Sequence, residues 1–225
     1  WCAAKFENVD LCHHVLGVGY RPPALTAKMA STLQFLSGGR FILGIGAGWR
    51  EAEYLAYGYD FPKPSVRFRQ LEEAIKVCRL MWTEEDPRFE GEFFHIEGAD
   101  APPIPDVAPP VCIGTSGEQI GIPLAARHAD IWNTVWRGDL DSLIKKRDIM
   151  FHELEGLGRA REDIQFSLTI ERALPQTTGE IDEFGTMLTE LIEVGMEHFV
   201  LDFGNPETAD EIDPFITQVM GPLRT

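Results

Sequence analysis

The feature that most constrains the fold is the regular alternation of apolar runs with segments of helical periodicity. Several of the runs, such as "FILGI" and "HFVLDF", are apolar at consecutive positions, which is typical of strands buried on both faces of a parallel sheet. Repeated βα units therefore predict an α/β protein, either an open doubly wound sheet or a (β/α)₈ barrel. The predicted strands are Val9–Leu16, Arg40–Ile45, Pro110–Gly114, Asp130–Val135, Ile164–Ile170 and His198–Phe203.

The segments between these runs show helical spacing. The clearest helix has apolar residues at steps of three and four, namely Phe68, Leu71, Ile75, Cys78 and Trp82. An earlier helix is predicted to bury a comparable set, Leu25, Met29, Leu33 and Leu36. Further helices are expected at 140–157, at 184–192 and at 207–220, and the first two of these are followed by Gly158 and Gly195.

A different pattern follows the helix at 68–82. The stretch "FEGEFFHIEGA" (89–99) places several aromatic residues around Gly91, and the proline-rich stretch "APPIPDVAPP" comes after it. We therefore predict a hairpin and surface loop inserted at about 88–109. No linker long enough to divide the chain is visible, so residues 1–225 are predicted to form one domain.

Charge and cysteine usage narrow the classes of partner and compartment. The net charge of −16 argues against nucleic acid and anionic membrane surfaces as partners, because both require clustered cations. No apolar run approaches the roughly 20 residues of a membrane-spanning helix. The four cysteines show no C-x-x-C spacing, which favours reduced thiols, mostly in the core, in a cytoplasmic protein. Two disulfides are the alternative.

Three alternating glycines, called the glycine ladder below, follow the apolar run Phe41-Ile42-Leu43 in "GRFILGIGAGWREAEY" (39–54). Gly44, Gly46 and Gly48 do not match the dinucleotide pattern G-x-G-x-x-G, because Trp49 stands at its last position. They do not match a P-loop either, because no Gly-Lys-Ser/Thr follows. One interpretation is close backbone packing at a strand end. The other is a turn that lets the backbone approach a flat or anionic ligand.

A second candidate is "CIGTSGEQ" (112–119), after the third predicted strand. We expect Gly114–Gly117 to open a helix, where backbone N–H groups and the two hydroxyls could hold a phosphate. A plain Ser/Thr helix cap is the alternative. The stretch is not a nucleophile elbow, because Glu118 stands where that motif requires glycine.

Polar residues also lie at the ends of two predicted strands. His13 and His14 are adjacent, so they point to opposite faces of a strand and make a poor metal pair. No other spacing indicates a metal site. Asn133 ends the fourth strand, and Arg137 follows in a loop, where it would suit a phosphate or carboxylate. The alternatives are ordinary histidines at a strand end and a solvated arginine.

With these motifs, the chain resembles the bacterial luciferase-like flavin monooxygenases, in particular the branch that uses the deazaflavin coenzyme F420. The resemblance is carried by residues 20–62 and by "RFRQLEEAIKVCRLMW", "FEGEFFHI", "PPVCIGTSGEQ" and "AARHADIWN". Its most specific part is the Leu-Ser-Gly-Gly-Arg stretch (36–40) that runs into the glycine ladder and Gly48-Trp49.

The resemblance implies a TIM-type (β/α)₈ barrel with a flavin at the C-terminal ends of the strands. Residues 12–14 would match a bulge behind the flavin ring, and the non-prolyl cis peptide found there in many relatives is expected at His13–His14. The glycine ladder would be a strand-to-helix corner beside the ring, and Gly114–Gly117 would contact the ring and ribityl chain. The implied cofactor-binding residues are Cys12, His13, His14, Gly46, Gly48, Trp49, Gly114, Thr115, Ser116, Gly117, Asn133 and Arg137.

The resemblance also implies an enzyme, a flavin-type oxidoreductase that transfers a hydride between coenzyme F420 and a small organic substrate. The alternatives are an FMN-dependent, oxygen-using monooxygenase and a non-catalytic flavin-binding protein with an incomplete barrel. No catalytic residue is assigned, because Trp49 occupies the position where some sugar-phosphate dehydrogenases of the family have an acidic Glu.

The family has two more βα units before Val9. The barrel is therefore expected to lack its first two βα units, either because the sequence is a fragment or because a partner supplies the missing edge. A homodimer formed through outer helices is a further possibility.

Overall fold

The computed structural model describes residues 1–99, 102–204 and 209–223. The strands are β1 (Leu11–Cys12), β2 (Leu16–Gly17), β3 (Phe41–Gly46), β4 (Arg88–Glu90), β5 (His95–Glu97), β6 (Val111–Gly114), β7 (Ile131–Val135), β8 (Gln165–Glu171) and β9 (His198–Asp202). The longer helices are α2 (Pro23–Ser37), α3 (Glu51–Ala56), α4 (Pro64–Thr83), α5 (Gly121–His128), α6 (Leu140–Leu157) and α7 (Thr178–Glu193). Shorter helices are α1 (Cys2–Lys5), α8 (Asp213–Phe215) and α9 (Gly221–Leu223).

Seven strands form one parallel sheet. The short strands β1 and β2 both pair with β3, and β6, β7, β8 and β9 follow in that order. Each neighbour in this path is parallel, as the continuous apolar runs predict. With helices between successive strands, the sheet is an incomplete (β/α)₈ barrel, which confirms the predicted fold class.

The core lies between the sheet and its helices. The apolar set predicted for α4 is confirmed, since Leu71, Ile75 and Cys78 are fully buried. The glycines predicted after α6 and α7 are also where expected, and both Gly158 and Gly195 adopt the left-handed φ that suits a helix end. In the described part of the chain, no helix is both long and apolar enough to cross a membrane.

The predicted inward face of α2 is right only at Leu33, which is partly buried against the core. Leu25, Met29 and Leu36 are 49%, 42% and 68% exposed. The buried face is instead made mostly of small residues, Thr26, Ala27, Ala30, Ser31 and Ser37 together with Gln34. Small side chains let α2 lie close to α4, where the Trp82 indole donates a hydrogen bond of 3.0 Å to the Ala27 carbonyl. The close approach of α2 to α4, and not the spacing of the large apolar residues, therefore determines which face of α2 is buried.

The Leu-Ser-Gly-Gly-Arg stretch anchors neighbouring segments. The Arg40 guanidinium donates to the carbonyl oxygens of Ala3 at 3.0 Å, Phe6 at 2.8 Å and Val9 at 2.5 Å. Gly38 and Gly39 both have positive φ, so they turn the chain between α2 and β3. The most specific part of the family resemblance is thus a structural anchor of the N-terminal segment.

The segment at 88–99 forms the antiparallel hairpin of β4 and β5. One carboxylate holds its turn: Glu73 of α4 accepts hydrogen bonds from the backbone N–H groups of Glu92, Phe93 and Phe94 at 2.8–3.1 Å. Residues 100 and 101 of the predicted loop lie outside the described residues.

The predicted helix at 207–220 is only partly described, because residues 207 and 208 lie outside the described ranges. A 3₁₀ turn (Ala209–Glu211) precedes α8, and a π-helical stretch (Ile216–Met220) joins α8 to α9. The segment therefore continues to Leu223 and is not one regular α-helix. Pro214 and Pro222, which donate no backbone hydrogen bond, are compatible with this irregularity.

Candidate functional site

The candidate site begins at a bulge on the strand that runs beside β3. The single strand predicted at Val9–Leu16 is wrong, because the structure divides it into β1 and β2. Cys12 pairs with Ile42 and Leu16 with Ile45, so four residue steps on this strand match three steps on β3. One extra residue is therefore accommodated between β1 and β2, which defines a bulge at 12–16.

The bulge carries a non-prolyl cis peptide bond between His14 and Val15. The expectation of a cis bond at His13–His14 is wrong by one residue. The two histidines diverge, as their adjacency predicted: the His13 ring lies edge-on to Phe41 at 5.8 Å, whereas His14 Nε2 hydrogen-bonds Thr169 Oγ1 at 2.9 Å. His14 therefore points across the barrel interior towards β8.

The glycine ladder is explained by this bulge. A Cβ atom on Gly44 would overlap the carbonyl oxygen of His13. A Cβ on Gly46 would lie 3.0 Å from Val15 Cγ2, and one on Gly114 would lie 3.2 Å from the same atom. Gly46 and Gly114 end β3 and β6, so the Val15 side chain rests on a floor of two glycines at the C-terminal ends of neighbouring strands. The close-packing interpretation of Gly44 and Gly46 is thus the one that the contacts support.

Gly48 has a separate reason to be glycine. Its φ is +78°, and a side chain there would collide with the hydroxyl of Tyr54, which is buried. The next residue, Trp49, is 83% exposed. The structure therefore places Gly48 in a turn packed on α3 and Trp49 on the surface beside that turn.

Two thiols meet at the first residue of the bulge, Cys12. Cys12 donates to the His13 carbonyl oxygen at 3.1 Å, and the Cys112 thiol hydrogen-bonds to Cys12. That hydrogen bond lowers the pKa of Cys12, while the same contact together with burial raises the pKa of Cys112. All four cysteines are free, but Cys2 and Cys12 are exposed, so the expectation that they lie mostly in the core is right only for Cys78 and Cys112.

The segment Gly114–Gly117 does not open a helix directly, contrary to the prediction, because α5 begins only at Gly121. Neighbouring β7 holds the segment instead. Thr115 N donates to the Asn133 carbonyl at 2.9 Å, and Ser116 Oγ hydrogen-bonds Thr134 Oγ1 at 2.8 Å. The segment is therefore a fixed turn at the C-terminal end of β6, with Ser116 and Gly117 exposed.

Asn133 and Arg137 lie in different environments. Asn133 is 3% exposed, and both ends of its amide are used: Nδ2 donates to Ser167 Oγ at 2.9 Å and Oδ1 accepts from Thr169 Oγ1 at 3.1 Å. Arg137 is at the surface, where its guanidinium lies 3.8 Å from the Glu171 carboxylate. The expectation that both residues approach a cofactor tail is untested. Both polar atoms of the Asn133 side chain are already hydrogen-bonded within the protein, whereas the Arg137 guanidinium is accessible to a ligand.

Asn133 belongs to a chain of hydrogen bonds that the sequence analysis missed. Ser167 Oγ continues from Asn133 to His198 Nδ1 at 2.8 Å, and Thr169 Oγ1 continues to His14. The available signal was the stretch "FSLTI" (166–170), where Ser and Thr alternate with apolar residues. Alternate residues of a strand share one face, so this pattern indicates a polar inward face of β8.

The charged state of the histidines follows from their surroundings. Burial lowers the pKa of His14, and the nearby His198 lowers it further. Burial also lowers the pKa of His198. Within residues 1–99, 102–204 and 209–223, no three His, Cys, Asp or Glu side chains come together in a way that could hold a metal ion.

Comparisons with known proteins agree with this architecture. The family model described as luciferase-like monooxygenase matches residues 1–182. An F420-dependent glucose-6-phosphate dehydrogenase of Kineococcus radiotolerans is 37% identical over 118 residues, which are 52% of this chain and 35% of that protein. The enzyme of the same name from Intrasporangium calvum is 32% identical over 193 residues, or 80% of this chain and 55% of that protein. The chain thus matches between about a third and about half of the length of these relatives.

Solved structures share the fold at low sequence identity. An F420-dependent secondary alcohol dehydrogenase, solved with an F420-acetone adduct, superposes with a TM-score of 0.86 at 18% identity, covering 99% of this chain and 82% of that one. A long-chain alkane monooxygenase superposes with a TM-score of 0.83 at 14% identity, covering 99% and 70%. At these identities the likeness concerns the fold.

Proposed function

This chain belongs to the luciferase-like monooxygenase family, and we propose that it is an oxidoreductase that transfers a hydride between coenzyme F420 and a small organic substrate. The observation that carries the proposal is the bulge seated on Gly46 and Gly114, at the C-terminal ends of β3 and β6. The sugar-phosphate dehydrogenases of similar sequence and the alcohol dehydrogenase of similar fold are F420-dependent by name, which supports this cofactor.

The residues present fit a flat ring. Gly46 and Gly114 contribute no side chains to the floor, and the backbone at His14–Val15 passes over it. A flat face built from backbone and one valine suits an aromatic ring that has to lie against protein on one side. In this proposal the bulge contacts one face of the ring and leaves the other face to the substrate.

Polar groups for the rest of the cofactor lie beside this floor. Thr115, Ser116 and Gly117 form the turn after β6, and hydroxyl and N–H groups of this kind suit the hydroxyls of a ribityl chain or a phosphate. Arg137, exposed in the turn after β7, is the cation proposed for the charged tail. Trp49, exposed beside the ladder, is proposed to line the entrance.

Coenzyme F420, when bound, supplies a carrier for one hydride, that is, two electrons and one proton. The protein has to orient it, exclude water and provide for the remaining proton. The fixed turn at Gly114–Gly117 and the bulge serve orientation, because both are tied to neighbouring strands. A proton acceptor is available in His14, whose pKa is lowered by burial and by His198.

A second candidate function is an FMN-dependent, oxygen-using monooxygenase. It is favoured by the structural likeness to a long-chain alkane monooxygenase over 99% of this chain. The same bulge would lie against the flavin ring, so the two candidates differ in cofactor and oxidant and not in the position of the site.

The two candidates are separated by fluorescence titration of the purified chain with oxidised F420 and, in parallel, with FMN. We expect saturable binding of F420 alone. Gly114→Val should abolish it, because a side chain there would meet Val15, whereas Gly179→Ala, where an added Cβ would have open space, should not change it. Preference for FMN would favour the monooxygenase, and binding of neither would contradict a flavin site in this chain. Hydride transfer is then assayed as F420 reduction by glucose 6-phosphate and by small secondary alcohols.

A further inference from the structure

The orientation of the Asn133 amide gives the hydrogen-bond chain through the barrel a direction. Each hydroxyl has one hydrogen to donate. Thr169 donates its hydrogen to Asn133 Oδ1, so Thr169 Oγ1 has to accept from His14 Nε2–H. At the other end, Asn133 Nδ2 donates to Ser167 Oγ, so the hydrogen of Ser167 is free to point at His198 Nδ1.

This direction gives both histidines the same tautomer. His14 and His198 each carry hydrogen on Nε2, which is the tautomer that a histidine side chain prefers in water. Turning the Asn133 amide over would reverse the chain and place hydrogen on Nδ1 of His198, while His14 Nε2 would become an acceptor. That arrangement uses the less favourable tautomer at both ends, which supports the direction seen in the structure.

The two ends respond differently to a proton. His14 can gain a proton on Nδ1, because Nε2–H continues to donate to Thr169. His198 can gain one on Nδ1 only if the Ser167 hydroxyl turns its hydrogen away and accepts from Nδ1–H, which reverses that hydrogen bond. His14 is therefore the histidine that can exchange a proton without reversing any hydrogen bond of the chain.

The surroundings of His14 agree with this assignment. Among the groups on neighbouring elements, His198 is the one that acts on His14 electrostatically, and it lowers the pKa of His14 as burial does. The titratable groups on the elements beside His14 are Cys12 and His13 on the bulge, Cys112 on β6, Glu171 on β8, and His198 and Asp202 on β9.

We propose that Thr169, Asn133, Ser167 and His198 are positioning residues that tie the bulge across the barrel to β7, β8 and β9 and fix His14 in its Nε2–H tautomer. The buried middle of the chain, with Asn133 and Ser167 at 3% and 1% exposure, makes this tie rigid. Nδ1 of His14 is thereby kept as the basic nitrogen on the bulge. The assignment of the tautomers does not depend on the proposed function. Only the expected effect on cofactor binding rests on the proposed function, which places the cofactor against the bulge.

The tautomers are measured without any cofactor, by two-dimensional NMR of the ring nitrogens in the full chain labelled with ¹⁵N-histidine, at pH 8. We expect Nε2–H for both His14 and His198, with assignments from single His→Gln variants. Nδ1–H at either residue would overturn the direction of the chain. Rapid exchange between both tautomers at His14 would overturn the claim that the chain fixes it.

Asn133→Asp gives an independent test, because a carboxylate accepts hydrogen bonds at both ends. Ser167 would then donate to the carboxylate and accept from His198. We expect His198 to change to Nδ1–H or to become protonated, and His14 to keep Nε2–H. A change at His14 with none at His198 would show that the chain runs the other way. Asn8→Asp adds the same charge at an exposed position and serves as the matched control.

Thr169→Val removes one hydroxyl with little change of shape. We expect His14 to lose its fixed tautomer and His198 to keep its own, and we expect Thr169→Ser to restore His14. Thr186→Val, on the exposed side of α7, is the control for loss of a threonine hydroxyl. Unchanged NMR signals of His14 in Thr169→Val would contradict the proposal.

The functional consequence is measured separately, as the Kd for F420. Loss of one positioning hydrogen bond is expected to weaken binding about fivefold in Thr169→Val, with recovery in Thr169→Ser. If the unsubstituted chain does not bind F420 but shows the expected tautomers, the proposed cofactor fails and the positioning chain stands. If F420 binds but Thr169→Val binds it equally well, the cofactor stands and the positioning role is refuted.

Discussion

At the scale of the residue, the glycine ladder shows how a bulge is fitted into a closely packed sheet. Gly44 gives room to the His13 carbonyl, and Gly46 and Gly114 give room to Val15. The ladder is therefore a requirement of the neighbouring strand, and it prepares the floor of the proposed ring site indirectly.

Gly44→Ala is expected to destabilise the protein, because the added methyl group would overlap the His13 carbonyl oxygen. Overpacking of this kind costs about 1–3 kcal/mol, measured as the change in free energy of unfolding in urea. The matched control is Gly156→Ala in the last turn of α6, where no atom lies within 4 Å. It should stabilise the protein by about 0.5–1 kcal/mol. Equal effects of the two substitutions would contradict the close contact.

Cys12 is expected to be a reactive thiol. Its pKa is lowered by the hydrogen bond from Cys112, whereas burial raises the pKa of Cys78 to about 12. Alkylation by iodoacetamide at pH 7.5, followed by peptide mass spectrometry, should therefore modify Cys12 well before Cys78. Cys112→Ala should slow modification of Cys12 several-fold, with the exposed Cys2 as the internal reference. An unchanged rate would show that the Cys112 thiol does not stabilise the Cys12 thiolate.

At the scale of the element, single side chains fix the position of segments that the hydrogen bonds of the sheet and the helices do not fix. Arg40 holds the N-terminal segment through three carbonyl oxygens, and Glu73 holds the turn between β4 and β5 through three backbone N–H groups. Neither role is visible in the periodicity of the sequence, because both depend on contacts between segments that are distant along the chain.

Glu73→Gln is expected to loosen the hairpin of β4 and β5. The amide retains one acceptor oxygen but directs an NH₂ group at backbone donors, so partly buried hydrogen bonds are lost. The expected cost is about 1–3 kcal/mol in unfolding free energy, with faster hydrogen exchange at Glu92 and Phe94. Glu85→Gln, in the exposed stretch after α4, is the control of equal charge. Unaltered exchange in Glu73→Gln would refute this role.

The elements were predicted correctly where the apolar pattern along the element itself determines which side chains are buried. The five longer parallel strands and α4 were predicted correctly because their apolar positions are buried against the rest of the core. The buried face of α2 was not, because small residues such as Ala27 and Ala30 pack closely against α4 while larger apolar residues remain outside. The start of α5 was predicted too early, because the turn after β6 is held by β7 and not by the helix.

At the scale of the whole molecule, the parallel strands of the incomplete barrel face an interior that contains one line of hydrogen-bonded polar side chains. That line runs from His14 through Thr169, Asn133 and Ser167 to His198. Buried polar groups have to be hydrogen-bonded, and Asn133 and Ser167 in the middle of the line meet that requirement, while His14 and His198 at its ends are exposed.

Stability is expected to fall as the pH falls below about 6.5, the pKa of an unperturbed histidine. His14, His128 and His198 all have lowered pKa values in the folded state, chiefly through burial. Between their folded pKa values and 6.5 the unfolded chain binds more protons, so protonation favours unfolding, and above 6.5 the effect is absent. Urea unfolding between pH 8 and 5.5 measures it. The same slope in the combined His14→Gln, His128→Gln and His198→Gln variant would contradict this origin.

The sequence by itself determined the parallel α/β architecture and the hairpin. These features follow from apolar periodicity, turn residues and motif order, which act over short distances along the chain. The tertiary structure alone decided which residue bears the cis bond, why each ladder position must be glycine, and which polar side chains meet inside the barrel. Those properties depend on contacts between strands up to 155 residues apart, as between His14 and Thr169, and no local pattern encodes them.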